Sequence, residues 1–142
     1  MSAFKAAFIV LVLSLCAHAQ VAPAQVKIWA SDKTCPAIKP AVVEVGRVPF
    51  PQGWTLLVAC NEVQWVMLQR KADAQGTHYA FTNVKGRITV VRGAIFLRGV
   101  EGRIAHRILL HEIGHIRCDC DDEAKAEAWA AAYEQMRTHG TR

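Results

Sequence analysis

The segment that most restricts what this chain can be is His111-Glu112-Ile113-Gly114-His115, which reads H-E-x-x-H. Two imidazoles at this spacing reach one metal ion only from a helix, where positions i and i+4 stack on one face. The surrounding residues predict such a helix from about Glu101 to Arg117: Leu109, Ile113 and Ile116 recur at i, i+4 and i+7 as an apolar packing stripe. His111 and His115 fall on a neighbouring face with Ile104 and Ile108. Gly114 weakens a helix interior, but it has no Cβ and lets another element, or the metal site, come close to the backbone. Glu112 lies beside the histidines, where a carboxylate can take a proton from a metal-bound water. The competing reading is an amphipathic helix whose two histidines and glutamate are solvated.

A catalytic zinc ion takes three protein ligands and keeps one position for water. Zinc is therefore the expected cofactor, with His111 and His115 as two ligands. The candidates for the third are Asp119, Asp121, Asp122, Glu123 and Glu127. Helix capping explains acidic residues at a helix N-terminus equally well, most strongly for Asp121 and Asp122. Glu123 and Glu127 are four apart and share a face, which a short loop can turn toward the two histidines.

On these residues the chain resembles a minimal zincin of the gluzincin type. There a two-strand hairpin leads into the H-E-x-x-H helix and the next helix supplies a glutamate, often within E-x-x-A-D or E-x-x-A-N. The corresponding run is Glu123-Ala124-Lys125-Ala126-Glu127-Ala128-Trp129-Ala130, and the resemblance extends from Tyr79 to Met136. It implies Glu123 as third ligand and Glu127 as the residue that orients a ligating histidine. The sequence departs from the pattern in its short loop between His115 and Glu123 and in having Glu127 for Asp or Asn. Either departure leaves Glu127 as an alternative ligand. A metzincin pattern, H-E-x-x-H-x-x-G-x-x-D, would instead make Asp121 the ligand. Cys118 stands where that pattern has glycine, however, and a Cβ is disfavoured in left-handed backbone.

The reaction expected from this set is peptide-bond hydrolysis by zinc-activated water, with Glu112 as general base and then proton donor to the leaving amine. The strand near Arg87 to Val91, or its continuation to Leu97, would flank the cleft and pair with an extended peptide or protein substrate. Tyr133, His106 and His139 are candidates for oxyanion stabilisation, although His106 reads as a helix-surface residue and Tyr133 as core. A non-catalytic zincin-fold module of the cell envelope that binds metal or peptide is the second function class. A small disulfide-stapled binding domain with a coincidental motif is the third. A purely structural zinc site has no use for Glu112.

Residues 1–19 carry one lysine, an apolar run and Ala17-His18-Ala19, an A-x-A cleavage site. They read as a secretory signal peptide, with cleavage after Ala19 and a secreted or periplasmic chain; the run is too short for a stable membrane span. Residues 20–142 are long enough for one domain. Loss of Lys5 takes the net charge from +5 to +4. Its scattered basic residues form no aromatic-interleaved patch, so nucleic acid is not an expected partner. Four cysteines remain, Cys35, Cys60, Cys118 and Cys120, an even number that suggests disulfides. Cys118 and Cys120 are close enough in sequence that pairing with each other implies strain, and the favoured arrangement joins each of them to one of Cys35 and Cys60.

All five prolines lie between Pro23 and Pro51, so residues 20–52 read as irregular, with Ala41 to Val45 a possible strand. Trp54 to Cys60 predicts a buried strand. Asn61 is placed to cap a helix over Glu62 to Ala74, with Val63, Val66, Met67 and Arg70 on one side. Tyr79 to Val84 and Arg87 to Val91 form a hairpin signal, and Ala94 to Leu97 would extend the sheet. A last helix from about Asp122 to Met136 packs through Trp129, Tyr133 and Met136, with a frayed tail from Thr138. The expected class is α+β: a short antiparallel sheet, the H-E-x-x-H helix, and a C-terminal helix.

Overall fold

The apolar run before Cys60 becomes the strand on which the sheet is built. A computed structural model describes residues 26–77, 79–97 and 102–139; the expected signal peptide and its cleavage site lie outside the described residues. In chain order the elements are β1 (Lys27–Ala30), α1 (Ile38–Val45), β2 (Thr55–Ala59), α2 (Glu62–Lys71), β3 (Ala80–Asn83), β4 (Ile88–Arg92), a 3-10 turn (Gly93–Phe96), α3 (Gly102–Cys118) and α4 (Glu123–His139). The result is a small α+β domain whose sheet has the order β1-β2-β4-β3.

That sheet is mixed, which corrects the expected antiparallel one. β2 runs parallel to both β1 and β4, and only the β3–β4 hairpin is antiparallel. Parallel neighbours need crossovers, and helices supply them. α1 lies between β1 and β2, within the stretch read as irregular, and it replaces the possible strand over Ala41 to Val45. Pro40 misled that reading. It sits in the first turn of α1, where a missing N–H breaks no helical bond.

Alternation along β2 and β4 sorts the core into two faces. Leu56, Val58 and Val91 point to the side covered by α1, α3 and α4, with Leu109, Leu110 and Ile113 of α3 fully buried there. Ala59 and Val90 point to the other side, where Trp65 of α2 is buried. Asn61 caps α2 by accepting from the Gln64 N–H at 3.0 Å, as the sequence implies. Of the side shared by Val63, Val66, Met67 and Arg70, Val66 packs against the cluster around Trp65. Val63 is 80% exposed and Met67 59%, whereas Trp65 is 2% exposed, because one indole against the sheet buries more apolar surface than the valine–methionine side offers.

The chain leaves the sheet at Gly93 in a 3-10 turn instead of extending a strand to Leu97. A Cβ at Gly93 would lie 2.7 Å from the Ala59 carbonyl oxygen, so this turn needs glycine. At the C-terminus, Trp129 and Tyr133 pack against the core and stack at 5.3 Å, while Met136 is exposed. The helix continues through Thr138, which was expected to fray, to His139.

The disulfide pairing differs from the favoured one. Cys35 joins Cys60, and Cys118 joins Cys120. Asp119 adopts left-handed backbone at φ 50° and folds the chain back. The Cα atoms of Cys118 and Cys120 thereby come to 5.2 Å, inside the ordinary disulfide range. Cys35–Cys60, at a separation of 25 residues, ties α1 to β2 and contributes about 3 kcal/mol on chain-entropy grounds.

α3 and α4 meet at Gly114. A Cβ there would lie 2.4 Å from the Ala126 carbonyl oxygen and 2.6 Å from its Cα. Gly114→Ala is therefore expected to lower stability by roughly 1–3 kcal/mol through overpacking, despite alanine's better helix propensity. A urea midpoint equal to or above that of the wild type would contradict this contact.

Candidate metal centre

Three side chains from two helices converge on one point. His111 and His115 project from the same face of α3, one turn apart, and Glu123 is the first residue of α4. Each offers a ligand atom, and the three atoms lie within 4.8 Å of one another. His111 Nε2 is 3.2 Å from His115 Nε2 and 2.9 Å from Glu123 Oε2, and His115 Nε2 is 3.6 Å from Glu123 Oε1. Asp122 caps α4 by accepting from the Lys125 N–H at 3.0 Å, which sets where Glu123 begins the helix.

The outer hydrogen bonds decide which nitrogens face inward. His115 Nδ1 lies 3.0 Å from the Cys120 carbonyl oxygen, which can only accept, so Nδ1 carries the proton. His111 has a carboxylate oxygen at each nitrogen, Glu127 Oε2 at 3.3 Å from Nδ1 and Glu123 Oε2 at 2.9 Å from Nε2, so with Nε2 on a metal its Nδ1 would donate to Glu127. With Nδ1 protonated on both rings, both Nε2 atoms turn lone pairs toward Glu123. Two imidazole nitrogens and a carboxylate oxygen crowd together there, an arrangement that a cation would satisfy. The donor set, two imidazole nitrogens and one carboxylate, fits a metal ion of intermediate hardness.

Glu127 is held from its far side. Arg107 donates from Nη2 to Glu127 and from Nη1 to Glu134. The Arg107 hydrogen bond, with a smaller contribution from His111, keeps the Glu127 carboxyl below the usual range for glutamate. Glu127 thus sits behind His111 rather than among the three converging atoms. Asp121 lines the cleft but is not one of the three clustered residues. Asp119 is the left-handed turn residue.

Glu112 lies on the sheet side of the site and is 5% exposed. Sequence reasoning missed what holds it. Thr82 on β3 and Thr89 on β4 are register partners, and Trp54 precedes β2 on the same side of the sheet. Trp54 Nε1 donates to Thr89 Oγ1 at 2.9 Å, the two threonine hydroxyls are 2.8 Å apart, and Thr82 Oγ1 donates to Glu112 Oε2 at 2.6 Å. The indole can only donate and an ionised carboxylate can only accept. Hydrogen bonds therefore run one way, from Trp54 through Thr89 and Thr82 to Glu112. A polar residue on the core side of each hairpin strand was the available signal.

Burial pushes the Glu112 carboxyl above its ordinary value. The Thr82 bond and the nearby His115 and His111 oppose that rise.

The site opens into a cleft of about 870 Å³. One wall is β3, the edge strand of the sheet, through Ala80, Phe81 and Thr82, and not β4 or its continuation as expected. The other wall is α3, and the loop from Asp73 to Thr77 closes one end. Of the expected oxyanion candidates, none lines this cleft. His106 is turned away and pairs through Nδ1 with the buried Glu44 at 2.7 Å. Tyr133 stacks on Trp129, and His139 bonds the Gln135 carbonyl. Tyr79 is on the cleft wall instead. Among the described residues no helix is long and apolar enough to cross a membrane. No family model, curated protein or solved structure matches this chain.

The raised Glu112 carboxyl has a consequence for stability without metal. Below the unfolded value of 4.5 the residue is protonated in both states and its burial carries no ionisation penalty. As pH rises above 4.5 the unfolded chain releases the proton first, and the folded state loses stability until pH passes its own higher value. Glu112→Gln removes that loss. In chelator-treated protein, the stability of Glu112→Gln relative to wild type is expected to grow as pH rises from 4.5. A difference independent of pH between 4 and 8 would refute it.

Proposed function

We propose that this protein is an exported, zinc-dependent peptidase of minimal zincin-like architecture. The observation that carries the reading is the convergence of two Nε2 atoms and the Glu123 carboxylate beside a buried, oriented glutamate that is not itself one of the three. A structural metal site needs no such fourth group, and it usually closes its last position with Cys or His.

His111, His115 and Glu123 would hold the ion, with Glu127 and the Cys120 carbonyl fixing the two imidazoles from outside. Zinc, when bound, supplies Lewis acidity that acidifies a water and polarises a carbonyl. Glu112 accepts the proton on the carboxylate oxygen that Thr82 leaves free, and delivers it to the leaving amine. Its raised proton affinity suits both halves of that task, since an acid–base group works best when its pKa nears the working pH. β3 offers backbone at the cleft wall for antiparallel pairing with an extended peptide. The two disulfides are compatible with an oxidising, extracellular location.

Zinc content and peptide cleavage test the reading together. Wild type is expected to retain one zinc per chain, Glu123→Ala to lose it, and Asp121→Asn to keep it. Glu127→Ala is expected to bind zinc about 10–100-fold more weakly, as outer-shell losses do. Glu112→Gln is expected to keep zinc and lose cleavage. Zinc bound stoichiometrically with no cleavage that depends on Glu112 would leave a metal- or peptide-binding module of the cell envelope, and no zinc uptake would end the metal reading.

A further inference from the structure

The turn between the two metal-bearing helices is built more firmly than a loop needs. Asp119 is left-handed at φ 50°, the Cys120 N–H returns to the His115 carbonyl at 3.3 Å, and the Cys118–Cys120 disulfide closes across the turn. This is the hydrogen bonding of a helix end whose first residue past the cap is left-handed, a position usually filled by glycine. Asp119 carries a Cβ, so its backbone preference supports the turn less than glycine would. The covalent bond between its neighbours supplies the constraint.

Two parts of the metal site hang on that turn. The Cys120 carbonyl accepts from His115 Nδ1 at 3.0 Å and so fixes which nitrogen faces inward. Two residues later Asp122 caps α4 and Glu123 begins it. The disulfide therefore lies on the only covalent path between His115 and Glu123, with its own second residue touching one of them.

We propose that the Cys118–Cys120 disulfide is a positioning element of the metal site. It holds the Asp119 turn closed, which keeps the Cys120 carbonyl on His115 and Glu123 within reach of both histidines. This rests on the metal reading above and adds to it a dependence of affinity on a bond that supplies no ligand. Cys35–Cys60 is the internal control, because it spans the N-terminal half, between α1 and β2.

The test compares oxidised wild type with Cys118→Ser/Cys120→Ser and with Cys35→Ser/Cys60→Ser. Zinc affinity is read by competition with a chromophoric chelator, cobalt coordination by visible absorption, and stability by thermal unfolding of the metal-free chains. The expected result is a roughly 10–100-fold weaker zinc affinity and an altered cobalt spectrum for the Cys118/Cys120 variant. The Cys35/Cys60 variant is expected to melt at lower temperature yet bind zinc as wild type does. Equal zinc affinity in wild type and the Cys118/Cys120 variant overturns the inference and leaves the metal reading standing. So does an equal loss in both variants, which would mark general destabilisation. Failure of the wild type to take up zinc or cobalt overturns both. Should the serine pair fail to fold, Asp119→Gly in the same background carries the comparison, since glycine adopts the left-handed turn freely. Recovery toward wild-type affinity there is expected, and a folded triple variant that binds zinc about 10–100-fold more weakly than wild type overturns the inference.

Discussion

The Ala126 backbone occupies the space where a side chain at position 114 would be. That contact sets the distance between α3 and α4, and the rest of the site follows from the distance. Glu123 lies one turn before Ala126 on α4, and His115 lies one residue after Gly114 on α3. A separation set by backbone contact brings a carboxylate from one helix within 2.9 Å of an imidazole on the other. With a Cβ in between, the same residues would face each other across a wider gap. Gly114 is thus less a weak point in the helix than the reason side chains from two helices can meet at one point.

Close approach alone does not make a ligand set, because an imidazole can present either nitrogen. Each histidine is settled by a different outer partner. His115 is oriented by a backbone carbonyl in the turn, and His111 by a carboxylate that Arg107 holds in place. Both devices are electrostatic, and the Arg107–Glu127 pair does its work from the cleft wall. Glu112 is treated in the opposite way. It is removed from water, which raises its proton affinity, and it is given one donor, the half-buried Thr82, backed by the buried Thr89 and Trp54.

How much of this was legible in the sequence follows from what each feature depends on. H-E-x-x-H has a meaning only on a helix, so its spacing carried the α3 geometry. The Glu123 placement rested on a family pattern, and α4 does bring it to the histidines. The hairpin and the Asn61 cap were readable because both are local. The failures were non-local or had competing local readings. Nothing in Lys27 to Ala30 says that it pairs parallel with β2 through a helical crossover. Pro40 looked like a breaker, yet it is harmless in a first turn. Cys118 and Cys120 looked too close to pair because a left-handed Asp119 was not foreseen. Thr82, Thr89 and Trp54 carried no motif at all, and only strand register brings them into line behind Glu112.

The chemistry therefore lies on a contiguous half of the chain, with one outside contribution. β3, β4, α3 and α4 supply the three converging side chains and Glu112 with its hydrogen-bonded threonines, and Trp54 reaches in from just before β2. The N-terminal half contributes a flat surface for α3 to rest on, and Cys35–Cys60 ties that half together. Its other link to α3 is the Glu44 contact with His106, made on the side of the helix that does not face the cleft. α3 is thus held from behind by the N-terminal half and from beside by α4, so the side that carries His111 can be left open to the cleft. In so small a domain that side can be left open only because the core face of α3 is closed, with Leu109, Leu110 and Ile113 fully excluded from water.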